Sequence, residues 1–364
     1  MSRGNPGEAG RGVRAPAVRA TRRARQTGRM TPAAPLIGYA AALEQFPPAE
    51  AVALARLAEQ HGFHGTMAAD AFAPFTPQQG QASAVWPVAG ALGVATSGDL
   101  GVGPVTPTFR VHPAAVAQSS ATLAALYPGR HWLGIGSGEA ISEHVTGQYW
   151  PEPAERLNRM FEAVTIITKL FSASLAGKEA RHEGEFFRLG TSRLWTMPVE
   201  APRILIATAG PVTAKRAGRT VDGLIIEAAP IDKIGMLFQR FADGAREAGR
   251  DLTATSRVLR LHLSWAPSEE QAMTNALVEW PNGGMRFAKS DIRSPHDLEQ
   301  IAKLVRPDDF DDRLLVSADP DVHRAAIQRY LDLGFDRVYL HNVGRNQAEF
   351  LEVFGREVLP KLHR

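Results

Sequence analysis

Leu36-Ile37-Gly38-Tyr39-Ala40, followed by Pro48-Ala49-Glu50-Ala51-Val52-Ala53-Leu54-Ala55-Arg56-Leu57-Ala58-Glu59-Gln60-His61-Gly62, is the stretch that decides the fold. The first run is short and apolar, as a buried strand requires. The second opens with proline in its first turn and stops at glycine, which predicts a helix over about 48–61. The same couple recurs along the chain. Strands are predicted at 66–70, 100–106 and 131–137, with helices over 82–96, from Pro113, and over about 154–171. In the last of these Leu157, Phe161, Val164, Ile167 and Leu170 keep the 3.6-residue period. Further strands are predicted at 203–207, 223–226, 259–264 and 338–341, with helices from Pro211, over about 231–248 and over about 346–361.

Eight such strands fit a single (β/α)₈ TIM barrel better than an open doubly wound sheet, whose glycine fingerprint after the first strand is missing. Two insertions interrupt the order, a small hairpin within 173–200 and a segment at 281–312. Residues 35–364 therefore read as one barrel domain. Residues 1–29 hold eight arginines and one acid, leaving the remainder mildly acidic although the whole chain of 364 residues is +3. With no apolar period, 1–34 reads as a disordered basic tail. An export signal is disfavoured because no apolar stretch follows Arg22-Arg23, and Met30 is the expected natural start. A nucleic-acid role would rest on this tail alone, so none is expected. No run of about 18 apolar residues suggests a membrane span. The absence of cysteine rules out thiolate metal sites and cysteine nucleophiles and fits a reducing, cytoplasmic setting.

In a barrel of this kind chemistry sits at the carboxyl ends of the strands. The residues there are Asp70, Thr106, Gly136-Ser137-Gly138-Glu139, Thr208-Ala209-Gly210, Glu227 and His341-Asn342. Two small-residue turns opening helices, at 136–139 and 209–213, suit an anionic cofactor arm, or are plain chain reversals. Asp70 reads as a hydrogen-bond acceptor at the rim or as a helix cap. Glu139 reads as a general acid or base, or as a carboxylate placed by a helix dipole. His262 and His341 read as satisfied rim or core groups, and with no HExxH pattern no metal is expected.

Six blocks in order, LIGYAAALEQF (36–46), ADAFAPF (69–75), VTPTFR (105–110), GIGSGEAISE (134–143), TAGPVTAKRAGRTVDG (208–223) and GFDRVYLHNVGRNQAEF (334–350), resemble the luciferase-like oxidoreductases. Within these the chain is similar to the branch around the deazaflavin-dependent glucose-6-phosphate dehydrogenases. The resemblance implies a homodimeric enzyme that passes a hydride between coenzyme F420 and a small-molecule substrate. FMN is the alternative cofactor, in a reductase or monooxygenase, and a catalytically idle cofactor-binding protein is the alternative role. Position by position, it implies cofactor contacts at Asp70, Thr106, Pro107, Ser137, Gly138, Ser142, Ala209, Gly210, Val212 and Thr213, and catalysis by Glu139. It places Glu227, Lys289 and Arg313 at the substrate, and a cis peptide at Gly103-Pro104 in a bulge of the third strand. Two departures matter. The family's histidine after the strand-end aspartate, and its tryptophan four residues on, are Ala71 and Phe75. A phosphate-binding lysine after strand six is Pro230. Glucose 6-phosphate is accordingly not the expected substrate.

Overall fold

The structure is a computed structural model that describes residues 35–311 and 313–363; the basic segment 1–34 lies outside the described residues. Eight parallel strands, β1 (Leu36–Ala41), β2 (Gly65–Ala68), β3 (Asp99–Val105), β4 (His131–Ile135), β5 (Arg203–Ala207), β6 (Gly223–Glu227), β7 (Ser256–Ser264) and β8 (Arg337–Asn342), pair in sequence order. β8 returns to β1 and β6 pairs with β7, so the ring is closed. Closure leaves no strand edge unpaired, which is how a parallel sheet avoids exposed backbone donors.

Alternation along each strand divides the side chains between two cores. On β7, Leu259, Leu261 and Leu263 point outward to the helices, where each fully buried leucine contributes roughly 1.5–3 kcal/mol. Val258, Arg260 and His262 alternate with them on the inner face. The barrel interior is filled by Ala40, Met67, Trp132, Leu205, Ile225, Val258 and Tyr339. Two of these rings take the space left by glycines: a Cβ on Gly38 would lie 2.4 Å from Tyr339 Cε1, and one on Gly101 would lie 2.1 Å from Trp132 Cζ2. Asp99, at the amino end of β3, accepts from Trp132 Nε1 at 2.6 Å and from the Tyr339 hydroxyl, closing the bottom of the barrel.

The predicted strand at 66–70 ends at Ala68, because the Asp70 amide donates to the Pro104 carbonyl (3.1 Å) and ties the rim to the β3 bulge. That bulge interrupts the register between Val102 and Val105, and its Gly103-Pro104 bond is cis as expected. The helix predicted at 346–361 is three pieces, an α-helix Gln347–Val353, a π turn Phe354–Val358 and a 3₁₀ turn Leu359–Lys361. A Cβ on Gly355 would lie 2.4 Å from the His61 carbonyl, so this segment follows its neighbour's backbone rather than its own period. The 173–200 insertion forms an antiparallel hairpin, Ala180–Glu183 with Arg188–Ser192. The 281–312 insertion carries a helix, Pro295–Ala302, flanked by 3₁₀ turns. It is followed by a short strand, Leu315–Val316, that pairs with β7 at Leu263 and Ser264. Trp280, Met285, Leu298, Val305, Phe310 and Leu314 pack with Ile141 and Val343 of the barrel rim in a second apolar cluster. No helix among the described residues is long and apolar enough to cross a membrane.

Candidate active site

The carboxyl ends of the strands open into a cavity of about 820 Å³, roofed on one side by the 281–314 segment. Asp70, Thr106, Ser137, Gly138, Glu139 and Ser142 line it from the barrel side, with Glu227, Lys289 and Arg313 facing them. Pro107, Ala209, Gly210, Val212 and Thr213 do not line it. Pro107 is buried in the loop after β3, and Thr213 is buried in the first turn of the helix Pro211–Thr220. Ala209 and Val212 are exposed at the start of the helix Pro211–Thr220, Val212 at 70%. This helix start nonetheless shares the rim with Glu139, since β4 and β5 are adjacent and parallel.

The bed of the cavity is bare backbone. A Cβ on Gly136 would lie 3.1 Å from Pro104 Cβ, and Gly138 has φ +86° with only 2.8 Å from its Cβ position to Thr106 Cγ2. Only glycine brings the chain this close to the β3 bulge in that conformation. Glu139 follows directly. Burial raises its carboxyl above the usual range, the Glu227 charge raises it further, and Lys289 and Arg260 work against both.

Behind the bed lies an ion cluster that motif reading missed. The Arg110 guanidinium bridges Asp70 (2.6 Å) and the almost fully buried Glu143 (3.1 Å), and the Arg110 amide also donates to Glu143 (3.2 Å). The Ser142 hydroxyl accepts from the Phe72 amide at 3.2 Å, so Asp70 and Ser142 are both fixed in place. Across the cavity, Arg260 is paired with Glu227, its direct neighbour in the β6–β7 register. Burial would raise Glu227, but the Arg260 guanidinium holds its carboxyl well below the ordinary range. His262 pairs with His341 of β8, and its ring stacks on Trp280 at 4.7 Å between centroids. Arg260 and His262, alternating with Leu259, Leu261 and Leu263, were the available signal for this wall.

The cations that sequence assigned to substrate are partly occupied. Lys289 Nζ donates to the Asn282 carbonyl at 2.7 Å and Arg313 Nη1 to the Met285 carbonyl at 2.8 Å. Burial lowers the Lys289 ammonium. Seven carboxylates line the cavity against five lysines and arginines. The side-chain carbonyl oxygen of Asn282, buried in its wall, has no hydrogen-bond partner.

A closed parallel barrel with a bulged third strand, a glycine bed at its mouth and a desolvated glutamate defines a luciferase-like barrel. The chain belongs to the luciferase-like monooxygenase family, whose model matches residues 23–337. Among its relatives is the F420-dependent glucose-6-phosphate dehydrogenase of Nakamurella multipartita, 35% identical over 337 residues, with 92% of this chain and 98% of that protein covered. The F420-dependent glucose-6-phosphate dehydrogenase 1 of Rhodococcus jostii is 36% identical over 332 residues, covering 89% and 97%. The chain superposes on an F420-dependent secondary alcohol dehydrogenase solved with an F420-acetone adduct (TM-score 0.85, 28% identity, 91% of this chain and 100% of that one). It shares its fold with the coenzyme F420-dependent tetrahydromethanopterin reductase of Methanopyrus kandleri (TM-score 0.72, 20% identity, 91% and 100%).

Proposed function

We propose that this protein binds coenzyme F420 in the rim cavity and transfers a hydride between it and a small, uncharged organic substrate, not a sugar phosphate. The observation that carries this reading is the bed of bare backbone beside the β3 bulge with a desolvated glutamate at its edge. The residues present fit the cofactor. Gly136, Ser137 and Gly138 offer backbone where a side chain would block a ring, and Asn282 Oδ1 is a buried acceptor awaiting a donor. When bound, the deazaflavin supplies or accepts the hydride.

The chain's own residues do the rest. Asp70 is held by Arg110 at the rim, where its second oxygen is free to accept a hydrogen bond. Glu139 keeps its proton to higher pH than an ordinary carboxyl, the property required of a group that exchanges the proton accompanying a hydride. The exclusion of sugar phosphates follows from charge. A phosphate dianion would lie opposite the Glu227 carboxylate, and Pro230 supplies no cation.

The test is to add deazaflavin to the purified protein and follow its fluorescence, then its bleaching with a panel of neutral secondary alcohols and with glucose 6-phosphate. Binding with bleaching by neutral alcohols is expected. Turnover of glucose 6-phosphate exceeding that of every neutral alcohol would refute the substrate assignment, and failure to bind deazaflavin would refute the whole reading.

A further inference from the structure

Oxidising an alcohol displaces the hydroxyl proton as well as the hydride, and Ala71, which lines the cavity, cannot receive it. On the opposite wall the hydrogen bonds around His262 fix where its own proton lies. Gln45 Nε2 donates to the Val343 carbonyl at 2.8 Å and to Glu279 Oε2 at 3.4 Å, so Gln45 Oε1 faces the other way. That oxygen lies 3.1 Å from His341 Nε2, which must therefore be the donor. His341 is fully inside the barrel, where burial holds it neutral, and its Nδ1 is left as an acceptor. His262 Nδ1 is 2.7 Å from His341 Nδ1 and donates to it. The neutral His262 ring then carries its only proton on Nδ1. Its Nε2 lone pair lies 3.8 Å from Glu227 Oε1, on the cavity side. A substrate hydroxyl reaching this wall would donate its single proton to Nε2, with the Glu227 carboxylate alongside.

We propose, resting on the hydride-transfer reading above, that His262 Nε2 is the proton acceptor for a secondary alcohol, with His341 and Gln45 as positioning residues that set its tautomer. In the step, the carbinol C–H bond breaks and its electron pair goes with hydrogen to the deazaflavin. The O–H bond breaks, its proton forms a bond to Nε2, and the C=O bond of a ketone forms. The imidazolium produced lies beside the Glu227 carboxylate, which favours it, and is opposed by Arg260 on β7 and by Lys289 from the roof. Glu227, Arg260, Lys289 and His341 are the titratable groups facing the ring, and uncharged Trp280 stacks on it. In the reverse direction the same nitrogen returns the proton to a carbonyl oxygen.

Long-range proton–nitrogen correlation spectra of the full chain labelled with ¹⁵N-histidine read the tautomers without cofactor. His262→Asn keeps a donor near the Nδ1 position but removes the base. The expected result is His262 protonated on Nδ1 and His341 on Nε2. In the same set, His262→Asn lowers kcat for secondary alcohols by about 10²–10⁴-fold, abolishes the acidic limb of the pH profile, where protonation of Nε2 silences the base, and leaves deazaflavin affinity unchanged. Gln45→Glu sets a carboxyl against His341 Nε2–H and should shift the His262 titration. A His262 proton found on Nε2, or turnover by His262→Asn within about threefold of wild type, overturns the proposal alone. Deazaflavin binding without turnover of any secondary alcohol also overturns it. Failure of deazaflavin to bind defeats the parent reading first.

Discussion

Replacing Arg110 by methionine tests whether the rim is held by the charge cluster behind it. The substitution keeps the length of the side chain but leaves Glu143, 2% exposed, and Asp70 without their shared cation. Removing one partner of a buried ion pair typically costs about 3–5 kcal/mol, because the remaining charge stays desolvated. In a chain of this size, with an unfolding entropy of about 2.1 cal/mol/K per residue, that lowers Tm by roughly 4–7 °C. The pH dependence gives the sign. Burial already raises the Glu143 carboxyl, and Arg110 opposes that rise. Without Arg110 the folded-state value climbs further, so the folded variant takes up a proton more readily than the unfolded chain. Its deficit is then greatest at neutral pH and shrinks as pH falls through the raised value. Denaturant unfolding at pH 7.5 and pH 5.5 (about two pH units apart, spanning the range where a raised carboxyl titrates) reads this directly. The double variant Arg110→Met with Glu143→Gln should recover part of the loss at pH 7.5. A loss below about 1 kcal/mol at pH 7.5, the scale of an exposed pair, or a deficit that grows on acidification, would refute the reasoning.

Gly138→Ala places a Cβ 2.8 Å from Thr106 Cγ2 at a φ of +86°; a stability loss of about 1–2 kcal/mol and a weaker deazaflavin titration should accompany it, and unaltered affinity would count against the glycine bed. Glu139→Gln should lower kcat by about 10²–10⁴-fold and remove a kinetic limb that lies above the ordinary carboxyl range, because burial raises that group; a pH–rate profile checks both. Asn282→Leu removes a buried acceptor that has no partner, so the cofactor-free protein should hold or gain about 1 kcal/mol in denaturant unfolding while ligand affinity falls. A clear loss of stability instead would mean that this oxygen is already satisfied.

The alternation of short apolar runs with proline-led helices was enough to count eight strands, because each unit is a local pattern. Closure of the ring supplied what local pattern could not. The neighbours Glu227 and Arg260, or His262 and His341, are set by register across β6, β7 and β8, and those partners lie 33 and 79 residues apart. Strand-end residues such as Asp70, Thr106 and Glu139 were legible, since barrel geometry gathers every strand end at one mouth. Arg110 and Glu143 were present in the quoted blocks, yet nothing in their spacing marked them as one cluster. The helices Glu269–Glu279 and Pro320–Asp332, between β7 and β8, were not predicted, and the cavity roof grows from the end of the first.

The roof meets the barrel rim through Ile141 and Val343, which share its apolar cluster. It leaves after Glu279, packs around that cluster, and returns through the two-residue strand Leu315–Val316. Ser290 and Asp291 latch it to Ala140 and Arg156. Part of the face a reactant meets is thus encoded in one contiguous segment, and Glu227 and His262 of the strands beneath complete it. Duplicated genes of this architecture could exchange that segment and acquire new reactants while the chemistry below stays untouched, and laboratory chimeras spliced at the same two seams inherit the same modularity.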